Sequence, residues 1–385
     1  MASPVYLDYN ATTPVAPEVA EAMQPFLGSR FGNPSSGHAY GIDAARAVAL
    51  SRNHVAELIG AASPEEIAFC GCATEANNLA LLGVARALRS AKRHIVVSAV
   101  EHPAVMQPAL LLRQDGWEVS VVPVDGFGRV DPEAVRTVLR PDTALVSVMH
   151  ANNETGTIQA VAEIARIARA QGALMHTDAA QSAGKVAVDV DVLEADLLTL
   201  AGHKFYAPKG IGVLYVRRGT PIRPLMAGAD QEHGLRPGTE NVPHIVGLGE
   251  AARLALLRLP ETGQVLRRLR DRLHELLAVG VPDLALNGHV QERLPNTLNV
   301  SFPRVSGHAL LREAQAEVAA STGAACHSGA AQASGVLGAM GFSTERAAGA
   351  VRLSVGLYTL GEDIERAGNA LVRAWARLAH TAARI

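Results

Sequence analysis

Cysteine is scarce: the 385 residues contain three, Cys70, Cys72 and Cys326. So few, so unevenly spaced, exclude a disulfide scaffold. A Cys-x-Cys pair with one distant partner is also a poor zinc set, and no His-Glu-x-x-His run occurs, so no metal site is expected. Charge of one sign is missing too. The formal net charge is -2, which gives no electrostatic ground for nucleic acid or an anionic membrane as the main partner. There is no uncharged apolar run of membrane-spanning length, and even the greasy stretch 79–88 carries Arg86. The opening MASPVYLDYN holds Asp8 and no basic-then-apolar leader. A soluble protein of a reducing, cytoplasmic compartment is expected.

What is present is apolar: 48% of the residues are hydrophobic and 19% charged, enough for a sizeable core and wrong for a disordered chain. From Ser63 to about Val216, short β-rich runs alternate with helical patterns. IAFC precedes a helix opening near Thr74, HIVVSAV precedes a helix started by Pro103, and TALVSVM, ALMHTD, LLTLA and GVLYV continue the rhythm. Nearly continuous apolar strands joined by helices predict an α/β fold with a mainly parallel, mixed sheet covered on both faces. In such sheets polar chemistry gathers beyond the carboxyl ends of the strands. Thr74, His102, Asn153, Asp178 and Lys204 all stand there.

The texture changes after about residue 240. The pattern predicts one helix over 242–257 and a second, charged and amphipathic, over 265–277. NTLNVSF, HALLREAQ, AVRLSVG and a closing helix over 362–380 then read as a smaller α+β unit. The expected division is a large domain at 15–256 and a small one formed by 1–14 and 257–385.

The segment LLTLAGHKFYAPKG brings His203 and Lys204 to a tight turn at a strand end. Desolvation there favours a neutral amine, which suits a Schiff-base lysine. Taken alone, a lysine in such a place is more often an ordinary solvated side chain; its neighbours change that reading. Asp178 directly follows the strand ALMHT and suits pairing with a protonated pyridine nitrogen, or capping of a following helix. Gln181, three residues on, is a candidate donor to a ring oxygen. The stretch FCGCATEANN offers Gly71, Cys72, Ala73 and Thr74 as N–H donors at a helix start, where a phosphate binds well. His203 is a further donor to the same group. His102 suits stacking on an aromatic ring or capping a helix, and Asn153 suits a ring-oxygen contact or a turn. Cys326, in the small-residue stretch STGAACHSG with His327 beside it, suits a thiolate nucleophile. Cys70 reads as core and Cys72 as site lining. Arg352 and Asn33 are candidates for gripping a substrate carboxylate, and Arg236 for supporting the phosphate region.

Together these residues resemble the cysteine desulfurase and selenocysteine lyase family, a class-V branch of the fold-type I pyridoxal-phosphate (PLP) enzymes. The resemblance runs from YLDYNATTP through FGNPSSGH, CATEANN, EHPAV, NNETG, HTDAAQ, GHKFYAPKG, RPGTEN and GAACHS to VRLSVG. It implies PLP as cofactor, with Lys204 as the covalently linked lysine, His102 on the ring and Asp178 at the ring nitrogen. Asn153 and Gln181 look like the ring-oxygen contacts, and Ala73, Thr74 and His203 like the phosphate contacts. Thr239 looks like the phosphate ligand reached in from the second subunit of a homodimer with shared active sites. Cys326 matches the catalytic cysteine, and Arg352 with Asn33 the substrate grip.

The implied reaction converts L-cysteine to L-alanine, with a persulfide on Cys326 passed to an acceptor protein. Release of selenium from L-selenocysteine and a less specific C–S lyase are the alternatives. GHKFYAPKG, RPGTEN and GAACHS look closer to animal-type selenocysteine lyases than to the housekeeping iron–sulfur desulfurases, which more often read SAHK, RSGT and GSACTS. Two departures stand out, Ala201 for the family's frequent Ser and Cys72 for its Gly. Loss of one phosphate hydroxyl would cost roughly 1–2 kcal/mol of cofactor affinity.

Overall fold

A computed structural model of the chain describes residues 3–323 and 334–382. Seven strands form the main sheet, in the order Ile67–Cys70, Gly212–Val216, Leu197–Ala201, Leu174–Asp178, Thr143–Ser147, His94–Ser98 and Glu118–Val122. Gly212–Val216 runs antiparallel to both its neighbours; the other pairings are parallel. The inner strands are buried on both faces, as their unbroken apolar sequences require. Because six of the strands point one way, Cys70, Ser98, Ser147, Asp178 and Ala201 end along one edge of the sheet. The loops leaving that edge build the site.

A smaller antiparallel sheet holds Ala350–Ser354, Thr297–Ser301 and Ala285–Asn287, covered by helices Gly307–Ala314 and Gly361–Ala382. The short strand Val5–Tyr6 pairs in parallel with Val318–Ala319. One apolar core draws on residues from Ala16 to Leu254, and another joins Val5 and Leu7 to residues between Leu266 and Ala379.

The connection between these cores corrects the sequence reading. In place of two helices, a single helix runs Val242–Gly280 straight through the expected boundary, with Pro260 inside it. Proline removes one N–H and ordinarily breaks a helix. Here Leu248 and Ala252 bury in the first core while Leu266 and Leu273 bury in the second, so packing on both sides holds the helix together. The N-terminus is capped by the Asn241 side chain, which accepts from the His244 N–H.

His150 and His176 are sealed within the main sheet region. His176 bonds Ser147 Oγ at 2.8 Å and Thr199 Oγ1 at 3.1 Å, tying three strands together, while His150 Nδ1 is buried without a partner. Burial pushes His150 down to about 4 and His176 down to about 3. In the unfolded chain both protonate near ~6.5, so below that pH the unfolded state holds more protons. Stability is therefore intact above ~6.5 and falls as the pH drops towards the folded-state values. At pH 5 each ring costs about 2 kcal/mol. Thermal melts at pH 7.5 and 5.0 should show a clear drop in Tm at the lower pH, and an unchanged Tm would refute this origin of acid sensitivity.

Candidate active site

At the carboxyl edge of the main sheet lies a cavity of about 390 Å³. Its wall includes Ala73, Thr74, His102, Asn153, Asp178, Gln181, His203, Lys204 and Arg352, brought together from six separate segments. Among the described residues Asp178 is the only acid on that wall.

One end of the cavity is a helix start. Helix Ala73–Leu88 opens directly after strand Ile67–Cys70, and its unpaired N–H groups and positive dipole end suit an anion. Cys72 is its cap, its Sγ accepting from Glu75 N at 3.4 Å, so this thiol has a structural task. Gly212 lets the neighbouring strand approach: a Cβ there would lie 2.6 Å from the Cys72 carbonyl carbon and 2.8 Å from Ala73 N. Arg236 is not on the wall but pairs with Glu75 at 2.9 Å, and Glu75 also takes the Gly71 N–H at 2.7 Å. This arginine thus braces the helix start.

The middle of the cavity carries the acid and the amine. Asp178 is 5% exposed; Asn77 donates to its Oδ2 at 2.7 Å and Ala180 N to its Oδ1 at 2.9 Å. Asp178 therefore does cap the following turn while lining the cavity. Lys204 ends a tight turn, Gly202–Lys204, and its Nζ donates to the main-chain oxygens of Asn10 at 2.7 Å and Ala11 at 2.8 Å. Burial first, then the Arg352 charge, brings Lys204 down to about 8, against the pull of Asp178 and Asp8. His203 Nδ1 meets Thr12 Oγ1 at 3.1 Å, and burial, with Lys204 next, lowers it to about 4, leaving a neutral ring.

The His102 Nδ1 accepts from Ala104 N at 3.1 Å, capping helix Pro103–Gln114 as one sequence reading had it, and its ring lines the cavity. Desolvation lowers its pKa. The loop beneath it is fixed by Glu101, whose Oε1 takes the Ser98 hydroxyl at 2.5 Å and the Met149 N–H at 2.8 Å. Burial raises Glu101 to about 8.

At the far end, Arg352 is 5% exposed, bonded to Asp8 at 2.7 Å and to the Asn153 carbonyl at 3.0 Å, with its Nε unpaired. Arg352 lines this end of the cavity, where a guanidinium suits a ligand carboxylate. Ser321 and Gly323 complete this wall. Cys326 follows three positions after Gly323 and lies outside the described residues. Asn33 and Thr239 are exposed and are not on the wall; the Asn33 side chain accepts from Ser35 N within its own turn. Cys70 is buried, and desolvation raises its thiol pKa far above the ordinary range.

A model of the class-V aminotransferases matches residues 5–367. The chain belongs to the class-V aminotransferase family. Its fold is that of the fold-type I PLP enzymes. Within this family, the cysteine desulfurase IscS of Dictyoglomus turgidum is 46% identical over 361 residues, covering 94% of this chain and 91% of its own. The IscS of Methanosarcina thermophila is 46% identical over 363 residues, covering 94% and 89%. A solved NifS-like protein superposes with a TM-score of 0.91 at 38% identity, over 97% of this chain and 100% of its own. A structure of SspA in complex with cysteine gives a TM-score of 0.81 at 34% identity, over 92% and 99%. This class-V chain is thus a cysteine desulfurase-like member of a PLP-dependent family. Among the described residues, no helix is long and apolar enough to cross a membrane, and no group of His, Cys, Asp and Glu side chains could hold a metal ion.

The sequence reading missed Asn10, Asn77, Glu101 and Lys185. Asn10 ties the two lysines to the small sheet: Lys204 and Gln181 donate to its carbonyl, Asn296 and Lys185 to its side-chain oxygen, and it donates to Thr297. Asn77 had a faint signal, lying one helical turn after Thr74.

Proposed function

We propose that the chain is a PLP-dependent cysteine desulfurase, converting L-cysteine to L-alanine and retaining the sulfur as a persulfide on Cys326. The observation that carries this reading is one cavity holding a buried amine, a single carboxylate and a helix N-terminus, with a wall ending three residues before Cys326. The desulfurase names of the curated relatives, and cysteine in the SspA structure, support the sulfur substrate.

The donor set fits the cofactor. The Ala73 and Thr74 N–H groups, the Thr74 hydroxyl and His203 would hold its phosphate, Asp178 its ring nitrogen, His102 its ring face, Asn153 and Gln181 its ring oxygen, and Lys204 its aldehyde carbon. Bound there, PLP supplies an electron sink for the pair left at the substrate Cα. Arg352 would hold the substrate carboxylate, with Asp8 and the Asn153 carbonyl keeping the guanidinium in place. Lys204, partly neutral near pH 7, takes the Cα proton. The Cys326 thiolate then attacks the substrate sulfur. An S–S bond forms, the Cβ–S bond breaks with its electron pair going to Cβ, and protonation of Cβ together with return of a proton to Cα gives alanine. Thr239, exposed on the single chain, would complete the phosphate site of a second copy in a homodimer. An acceptor protein in the cytoplasm would take the persulfide sulfur.

Steady-state alanine formation from L-cysteine and L-selenocysteine at equal concentration, with and without a thiol reductant, tests the reading. Cysteine turnover should stall without reductant as the persulfide accumulates. Free sulfide without a persulfide would favour a C–S lyase, and a keto-acid product an aminotransferase. Turnover confined to selenocysteine would move the assignment to the lyase.

A further inference from the structure

A second lysine lies behind the cavity wall. Lys185 is 7% exposed and is not on the wall itself. It stands four residues after Gln181, on the turn leaving strand Leu174–Asp178, and its Nζ donates to Gln181 Oε1 at 3.0 Å and to Asn10 Oδ1 at 3.4 Å. Gln181 Nε2 donates to the Asn10 main-chain oxygen at 3.0 Å.

An amide can turn over, exchanging its oxygen for its NH2 group, and its neighbours decide which face is presented. A carbonyl can only accept, so the Asn10 oxygen requires the NH2 group of Gln181. Lys185 supplies the matching donor for the oxygen. With Oε1 turned to Lys185 and one Nε2 hydrogen given to Asn10, the donor this wall residue has left is the second N–H. Burial lowers the Lys185 pKa far below its usual value, but a neutral amine still donates.

We propose that Lys185 is a positioning residue: its amine locks the Gln181 amide so that an N–H, and never the carbonyl oxygen, meets an acceptor oxygen bound in the cavity. In the desulfurase reading, on which this rests, that acceptor is the ring oxygen of PLP.

The test titrates cofactor-free protein with PLP by visible absorbance and follows the pH midpoint of the loaded protein's absorbance. Lys185→Met should weaken PLP binding about tenfold, the scale of one hydrogen bond to a bound ligand. It should also move the absorbance midpoint in the same direction as Gln181→Leu. The double variant should bind no more weakly than Gln181→Leu alone, because Lys185 acts only through that amide. Losses that multiply in the double variant, or Lys185→Met binding within twofold of wild type, would overturn the assignment. Should Lys185→Met lose its cooperative thermal melt, Lys185→Gln keeps an N–H donor at the site. Lys185→Gln binding within about twofold of wild type supports the proposal, and binding weakened about tenfold or more refutes it. Wild-type protein that takes up no PLP would sink the cofactor reading itself, whereas normal uptake with an indifferent Lys185→Met sinks this inference alone.

Discussion

Replacing Lys204 with alanine is expected to cut alanine formation by at least about a thousandfold, because both proton transfer and covalent attachment are lost. The structure explains why this amine suits the task. An unperturbed lysine is neutral to roughly 4 parts in 10,000 at pH 7, but one brought down to about 8 is neutral to about one part in ten. Burial does most of this and the Arg352 charge adds to it, while the Asn10 and Ala11 carbonyls fix the nitrogen in place. Lys204→Arg separates these contributions. Arginine keeps a cation and donors for both carbonyls but does not give up its proton at any working pH. It should therefore fail as completely as alanine. The wild-type proton-transfer step should slow as the pH falls below about 8, since the protonated amine cannot accept the Cα proton. Alanine release measured from pH 6 to 9, with thermal melts as the folding control, checks both. A folded Lys204→Arg protein retaining a tenth of the wild-type rate would remove Lys204 from the proton-transfer role.

Much of the large sheet was legible because its strands announce themselves locally. IAFC, TALVS and LLTLA are short apolar runs buried on both faces, and each gives way to a polar segment where the partner strands end. Thr74, His102, Asn153, Asp178 and Lys204 on the cavity wall were legible for the same reason, since they stand just past where such runs stop. The long helix was not. Pro260 is a local stop signal, and burial on two cores assembled from opposite ends of the chain overrides it. Asn10 and Lys185 stayed hidden because nothing local distinguishes them. Asn10 lies in a turn like many others, and its contacts with Lys204 and Asn296 span 194 and 286 positions. Lys185 reads as one more surface lysine until the fold buries it. Such residues act by orienting the groups that touch the ligand, and orientation leaves no periodicity to read.

Cys326→Ser is expected to abolish sulfur release from L-cysteine while leaving PLP binding unchanged. A thiol titrates near ~8.5 and so supplies a useful fraction of thiolate at neutral pH, whereas a serine hydroxyl stays protonated. The attack on the substrate sulfur also needs an atom able to keep that sulfur in a bond that a reductant or acceptor can later open, and an S–S bond does this. Cys326 lies outside the described residues, but the cavity wall leads to it through Ser321 and Gly323. Cys70 cannot stand in, being buried in the core with its thiol held protonated. Cys72 is committed to capping helix Ala73–Leu88. The variant should keep the visible absorbance of the loaded protein and lose persulfide formation. Selenocysteine provides the contrast, because its selenolate is already ionised at neutral pH and leaves carbon with less help. Alanine formation from selenocysteine should therefore fall far less than formation from cysteine. Full activity on cysteine in Cys326→Ser would refute the persulfide step. Equal loss on both substrates would show that selenium also depends on this thiol.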